Sequence, residues 1–165
     1  MREILFRGKR VDTGEWVYGN LNYGTIEIES IKDRYYISDF DVNPWDKKFY
    51  PVIPETVGQY TGLTDKNGKK IFEGDIVLLH NYIVGTIEFG CGAFGIGSRE
   101  QFDYARLESE IAPITGCNNT LDCCYNDYFI SLFELYWNYN QDGNDLTFVE
   151  VIGNIHDNFE LLEVE

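Results

Sequence analysis

The sequence predicts a mainly β protein: a small SH3-like barrel, an N-terminal β unit beside it and a partly helical insertion. Three observations predict this. Residues 54–79, PETVGQYTGLTDKNGKKIFEGDIVLL, place turn chemistry between short apolar runs, which is a hairpin signal. Sixteen glycines against four prolines suit a chain that turns often. Aromatic residues make up 16% of the chain, with 12 tyrosines, and such residues favour strands.

In the central stretch, Asp65-Lys66-Asn67-Gly68 supplies an Asp that can cap a turn and a Gly that can take a positive φ. Residues 56–63 precede it and Ile71-Phe72 follow. Gly74 allows a second bend or bulge. Ile76-Val77-Leu78-Leu79 is a continuous apolar run, the pattern of a strand buried on both faces. After a loop at His80-Asn81, residues 82–89 form another strand. A meander of short, bent strands suits a small barrel.

Upstream, residues 1–50 read as an N-terminal β unit. A strand begins at Ile4-Leu5-Phe6, and residues 11–18 form a hairpin turning at 12–15. Residues 25–31 alternate apolar and polar, Tyr35-Tyr36-Ile37 is a further strand, and residues 39–48, with Asn43-Pro44, form a loop. Residues 51–165 read as the barrel domain, with an insertion at about 90–146.

Within that insertion the glycine-rich run Cys91 to Gly97 is expected to be a turn or bulge. It is not a phosphate loop, because the G-x-x-x-x-G-K-[ST] pattern is missing. Helices are expected over residues 99–111 and 127–136. In the second, Tyr128, Phe129, Leu132, Phe133, Leu135 and Tyr136 give a wide apolar face, read as core or as a partner surface. Finally, Glu55 to Tyr60 and Glu150 to Ile155 share a Glu-x-apolar-Gly-amide-apolar pattern. From it we expect residues 57–60 and 151–155 to pair and close the barrel.

No stretch approaches ~20 consecutive apolar residues, so no transmembrane helix is indicated. The N-terminus MREILFRGKR lacks a secretory h-region, and the expected location is the cytoplasm of a bacterial host cell. There Cys91, Cys117, Cys123 and Cys124 are expected as free thiols. Their spacing does not give the paired C-x2-C of a zinc site, so no metal is assigned.

Charge is uneven. The chain carries −15 overall. Eleven of the 13 Lys and Arg lie in residues 1–70, and residues 71–165 hold only Arg99 and Arg106 against seventeen acids. That half repels phosphate backbones and disfavours ordinary nucleic-acid binding, so none is expected through it. It reads as a solvated acidic surface. The sharper reading is a decoy for a basic partner.

Nucleophilic catalysis needs Ser or Cys beside a His and an orienting acid. His80 and His156 are the only histidines, and neither sits in such a motif. Asp75 is the most tempting acid, but an Asp after Gly most often bonds backbone amides in a turn. No catalytic residue is assigned, no binding residue is identified, and no cofactor is expected.

MREILFRGKRVDTGEWVYGNL, VIPETVGQYTGLTDKNGKKIFEGDIV and EVIGNIHDNFELL together resemble the YopX family of phages and prophages. The resemblance covers about residues 1–21, 52–90 and 149–163. Phe159 departs from it, standing where members often carry Pro. The resemblance implies a phage-derived, mainly β protein with an SH3-like portion, and it brings no catalytic residues. The expected function is a non-enzymatic binding or accessory module whose partner is a protein, with self-association as a second reading and no membrane partner. The alternatives are an acidic, DNA-mimic-like decoy for a basic host protein, or a metal-dependent hydrolase using carboxylates.

Overall fold

The computed structural model describes residues 3–24, 34–39, 48–90, 92–103, 105, 106, 109, 128–139 and 145–163. The expected strand at 25–31, most of the loop at 39–48 and all four cysteines lie outside the described residues, as do residues 104, 107, 108, 110 and 111 of the helix expected at 99–111; of that helix, residues 105, 106 and 109 are helical, whereas 99–103 are not. The described chain is mainly β and separates into two compact units, Met1–Tyr60 and Thr61–Glu165.

The first unit is an antiparallel sheet. β1 (Phe6–Lys9) and β2 (Trp16–Gly24) form the expected N-terminal hairpin. Gly14, at φ 73°, allows the turn. β3 (Arg34–Ser38) pairs β2, and β4 (Phe49–Pro51) pairs β3. The short 3-10 helix Pro54–Thr56 follows. It is tied to β1 because the Lys9 N–H donates to Thr56 Oγ1 at 2.8 Å. Ile37, Val52 and Tyr36 are buried. Burying an aliphatic side chain of this size stabilises by roughly 1.5–3 kcal/mol.

Residues 51–60, assigned to the barrel domain from sequence, group with this first unit. Local pairing explains it. Pro51 pairs Tyr36, Val52 bridges Arg10, and Gly58 and Gln59 pair Arg7 and Phe6. The expected pairing of residues 57–60 with 151–155 is therefore corrected. Those segments lie in different units, and 151–154 pairs residues 75–77 instead. A shared glycine pattern marks a similar local bend and does not specify a register.

Two close approaches in this unit lead to predictions. A Cβ on Gly19 would lie 2.0 Å from the Ser38 carbonyl oxygen. Gly19→Ala is expected to cost at least ~2 kcal/mol, read as a lower urea midpoint. Arg10 forks onto Asp12, with Nε to Oδ1 at 2.8 Å and Nη2 to Oδ2 at 2.6 Å. The hydrogen bond from Arg10 lowers the Asp12 pKa from its ordinary value. A depressed carboxylate contributes stability above the ordinary Asp range, and that contribution is lost as pH falls through the folded value. The pair is exposed and the contribution small. A carboxyl NMR titration is expected to place the Asp12 midpoint below that of an unperturbed Asp, and Arg10→Gln to restore it.

The second unit begins in the second half of β5 (Gly58–Asp65), which pairs with β6 (Lys70–Phe72) and, in parallel, with β11 (Asp145–Leu146). The remaining strands form a five-stranded antiparallel sheet. They are β7 (Asp75–Leu79), β8 (Ile83–Gly90), β9 (Ala93–Gly97), β10 (Phe129–Ser131) and β12 (Val149–Asn154), in the order β10-β9-β8-β7-β12. No closed barrel is formed among the described residues. The continuous run in β7 is buried as expected, with Ile76, Val77 and Leu79 inaccessible. His80 and Asn81 turn the chain with positive φ.

Residues 93–97 are a strand inside the sheet and only Gly92 is a turn, at φ 83°. Paired glycines explain the difference. A Cβ on Gly95 would lie 2.2 Å from Phe129 Cζ, so the bare backbone makes room for that ring. The same contact explains why residues 129–131 are a strand and the helix α1 starts later, at Leu132–Tyr139. The Phe133 N–H donates to Ser131 Oγ at the helix start. From the predicted apolar face, Phe129, Leu132 and Leu135 are buried and Tyr136 packs on the core, whereas Phe133 and Tyr128 are exposed.

Candidate cleft in the second unit

The polar residues of the sequence motifs are committed to backbone. Asp65 Oδ1 accepts from the Asn67 and Lys69 N–H groups at 2.8 and 2.9 Å. Its Oδ2 accepts from the Val151 N–H at 3.0 Å. Asp65 is fully buried, and it joins the β5–β6 turn to β12. Lys66 reinforces the joint, its N–H bonding the Val149 carbonyl and its Nζ lying 2.6 Å from Glu150 Oε2. Asp75 Oδ2 accepts from the Phe72 N–H at 2.8 Å, the turn role expected for it. In the tail motif, Asn154 Oδ1 accepts from the His156 and Asp157 N–H groups, both at 3.0 Å.

The two histidines lie apart in different turns of the second unit. His80 packs edge-on to Tyr82 at 6.0 Å, and His156 is exposed in the Asn154 turn. Among the described residues no group of three or more His, Cys, Asp or Glu could hold a metal ion. Among the same residues no helix is long and apolar enough to cross a membrane.

Described residues of the second unit line an open cleft of about 1220 Å³. Residues 83–86 and Glu88 of β8 contribute its floor, with Gly97 and Ser98 at the end of β9. It is also lined by residues 99–101, Asp103, Tyr128 and, from the short 3-10 helix Phe159–Leu162, Phe159, Leu161 and Leu162. Glycine again sets the shape. A Cβ on Gly97 would lie 2.6 Å from Glu88 Oε1, and one on Gly85 would lie 2.5 Å from Ile96 Cγ2.

Both arginines of residues 71–165 line this cleft. Arg106 Cζ lies 4.1 Å from the centroid of Tyr82, and Arg99 Cζ lies 5.5 Å from that of Phe159. Arg99 Nη1 also donates to the Leu162 carbonyl at 3.1 Å, tying the start of the rim to the tail. Glu88, Glu100, Asp103 and Glu163 add four carboxylates. Tyr128 and Phe159 expose about half their surface. The surroundings can therefore take an extended ligand with an apolar body and charged ends.

The sequence alone assigns none of these residues. The one signal it holds is that Arg99 and Arg106 interrupt an otherwise cation-free half.

A mainly β protein with a polar-rimmed cleft is the class that fold and site define. The chain belongs to the YopX family, whose pattern matches residues 5–163. No curated protein matches it. Among solved structures, the chain is similar to protein EF1440 from Enterococcus faecalis, with 22% identity and a TM-score of 0.44 over 98% of this chain and 99% of that one.

Proposed function

We propose that this chain is a non-enzymatic binding or accessory module of phage origin that engages a protein partner in the bacterial cytoplasm through the second-unit cleft. The observation that carries the reading is the cleft itself. It offers aromatic faces and charged rims, while the family motif residues Asp65, Asp75 and Asn154 are committed to backbone amides. The β7–β9 meander with β12 returning onto β7 supports an SH3-like relation for this unit, a scaffold of short strands that presents a groove.

The test is affinity capture from the infected host with the native chain and with Glu88→Arg/Tyr128→Arg. Both positions are exposed, so the fold should tolerate them. A partner held by the native chain and lost by the variant is expected. Capture unaffected by the variant, or turnover of a substrate by the purified chain, would count against the reading.

A further inference from the structure

We infer that the second-unit cleft recognises an arginine-bearing basic segment of a protein partner, and that Arg106 occupies in the isolated chain the aromatic seat that the partner's guanidinium takes. The inference rests on the reading of this cleft as the recognition surface and adds the chemistry of what enters it.

Charge complementarity sets the sign of the ligand. Residues 61–165 hold five Lys and Arg against eighteen Asp and Glu. Within the cleft, four carboxylates outnumber two arginines. An anion brought there would meet more like charge than opposite charge, and a cationic segment is drawn in at long range.

The rings then select among cations. A guanidinium over an aromatic face is attracted by the ring quadrupole, and its planar shape stacks where an ammonium cannot. The cleft already holds two such contacts, with Arg106 over Tyr82 and Arg99 over Phe159. The two arginines differ in role. Arg99 is tied to the Leu162 carbonyl and fastens the rim. Arg106 is exposed, and its own backbone N–H donates to Asp103 Oδ1 at 3.0 Å, a local bond to another residue lining the cleft. Arg106 therefore acts as a tethered competitor. A tethered group lowers the apparent affinity for any ligand needing the same seat, by the fraction of time the seat is filled.

The test is fluorescence anisotropy with a labelled nonapeptide carrying four arginines, its four-lysine counterpart and an acidic phosphopeptide. Each is titrated with the native chain, Arg106→Gln, Lys69→Gln, Tyr82→Leu and Phe159→Leu. Lys69 is exposed and outside the cleft, so Lys69→Gln removes the same charge without opening the seat. Phe159 is half exposed, so Phe159→Leu covers the case in which Tyr82→Leu does not fold.

The arginine peptide is expected to bind more tightly than the lysine peptide. Arg106→Gln is expected to strengthen its binding about three- to tenfold, clearly more than Lys69→Gln, and the aromatic variants to weaken it by a similar factor. Equal gains for the two charge-matched variants, with the aromatic variants at native affinity, would overturn the inference while leaving the binding-module reading standing. Weaker binding in Arg106→Gln, preference for the phosphopeptide, or no binding of the arginine peptide would each overturn it.

Discussion

Asp65→Ala is expected to be the most damaging single substitution in the second unit, lowering its stability by about 3–5 kcal/mol. The carboxylate is inaccessible and accepts three backbone N–H groups, from Asn67, Lys69 and Val151. Truncation leaves those donors without the oxygens that satisfy them, and the Val151 bond is buried, where an orphaned donor costs more than an average bond contributes. Two of the donors belong to the local turn, but Val151 lies 86 residues away. Loss of Asp65 therefore loosens β12 as well as the hairpin. Asp65→Asn keeps the size and one acceptor but turns an NH2 toward a donor, so it is expected to fall between Ala and the native chain. Urea unfolding followed by a probe in the second unit reads the difference as a shift in midpoint. An Asp65→Ala midpoint within about 0.5 M of the native value would contradict this role for the joint.

Gly95→Val carries the second large effect, a loss of about 3 kcal/mol or more. Its Cβ would lie 2.2 Å from Phe129 Cζ and 2.7 Å from the Ile130 carbonyl oxygen. The ring could swing aside, but the carbonyl belongs to the β9–β10 ladder and can retreat only by opening it. Phe129→Leu in the Gly95→Val background is therefore expected to recover only part of the loss. Gly92 supplies the contrast. It has φ 83°, and a Cβ there would meet nothing within 4 Å, so Gly92→Ala brings backbone strain alone, about 1 kcal/mol. Thermal unfolding of the three variants is expected to rank Gly95→Val lowest and Gly92→Ala nearest to native.

What the sequence made legible was the local chemistry. The turn at residues 65–68, the bend at Gly74, the amide bond of Asp75 and the N-terminal hairpin all depend on residues within a few positions of one another. What it hid was the long-range pairing. Nothing in Asp65 announces that its second oxygen meets Val151, and a repeated hexamer suggested a strand pair that the fold does not make. Residues 93–97 looked like a loop because glycine is a poor strand former alone, but a partner ring can fill the space it leaves. The cleft was hidden for the same reason. Arg106 meets Tyr82 and Arg99 meets Phe159 across 24 and 60 positions of chain, and no local pattern records such a meeting.

The most direct test of the cleft as a recognition surface is an amide NMR titration of the whole chain with the arginine nonapeptide. Saturable shifts are expected, concentrated at cleft-lining residues 81–86, 88, 97–101, 103, 106 and 161–163. Shifts spread evenly over the acidic surface, or concentrated in residues 3–24 of the first unit, would contradict it.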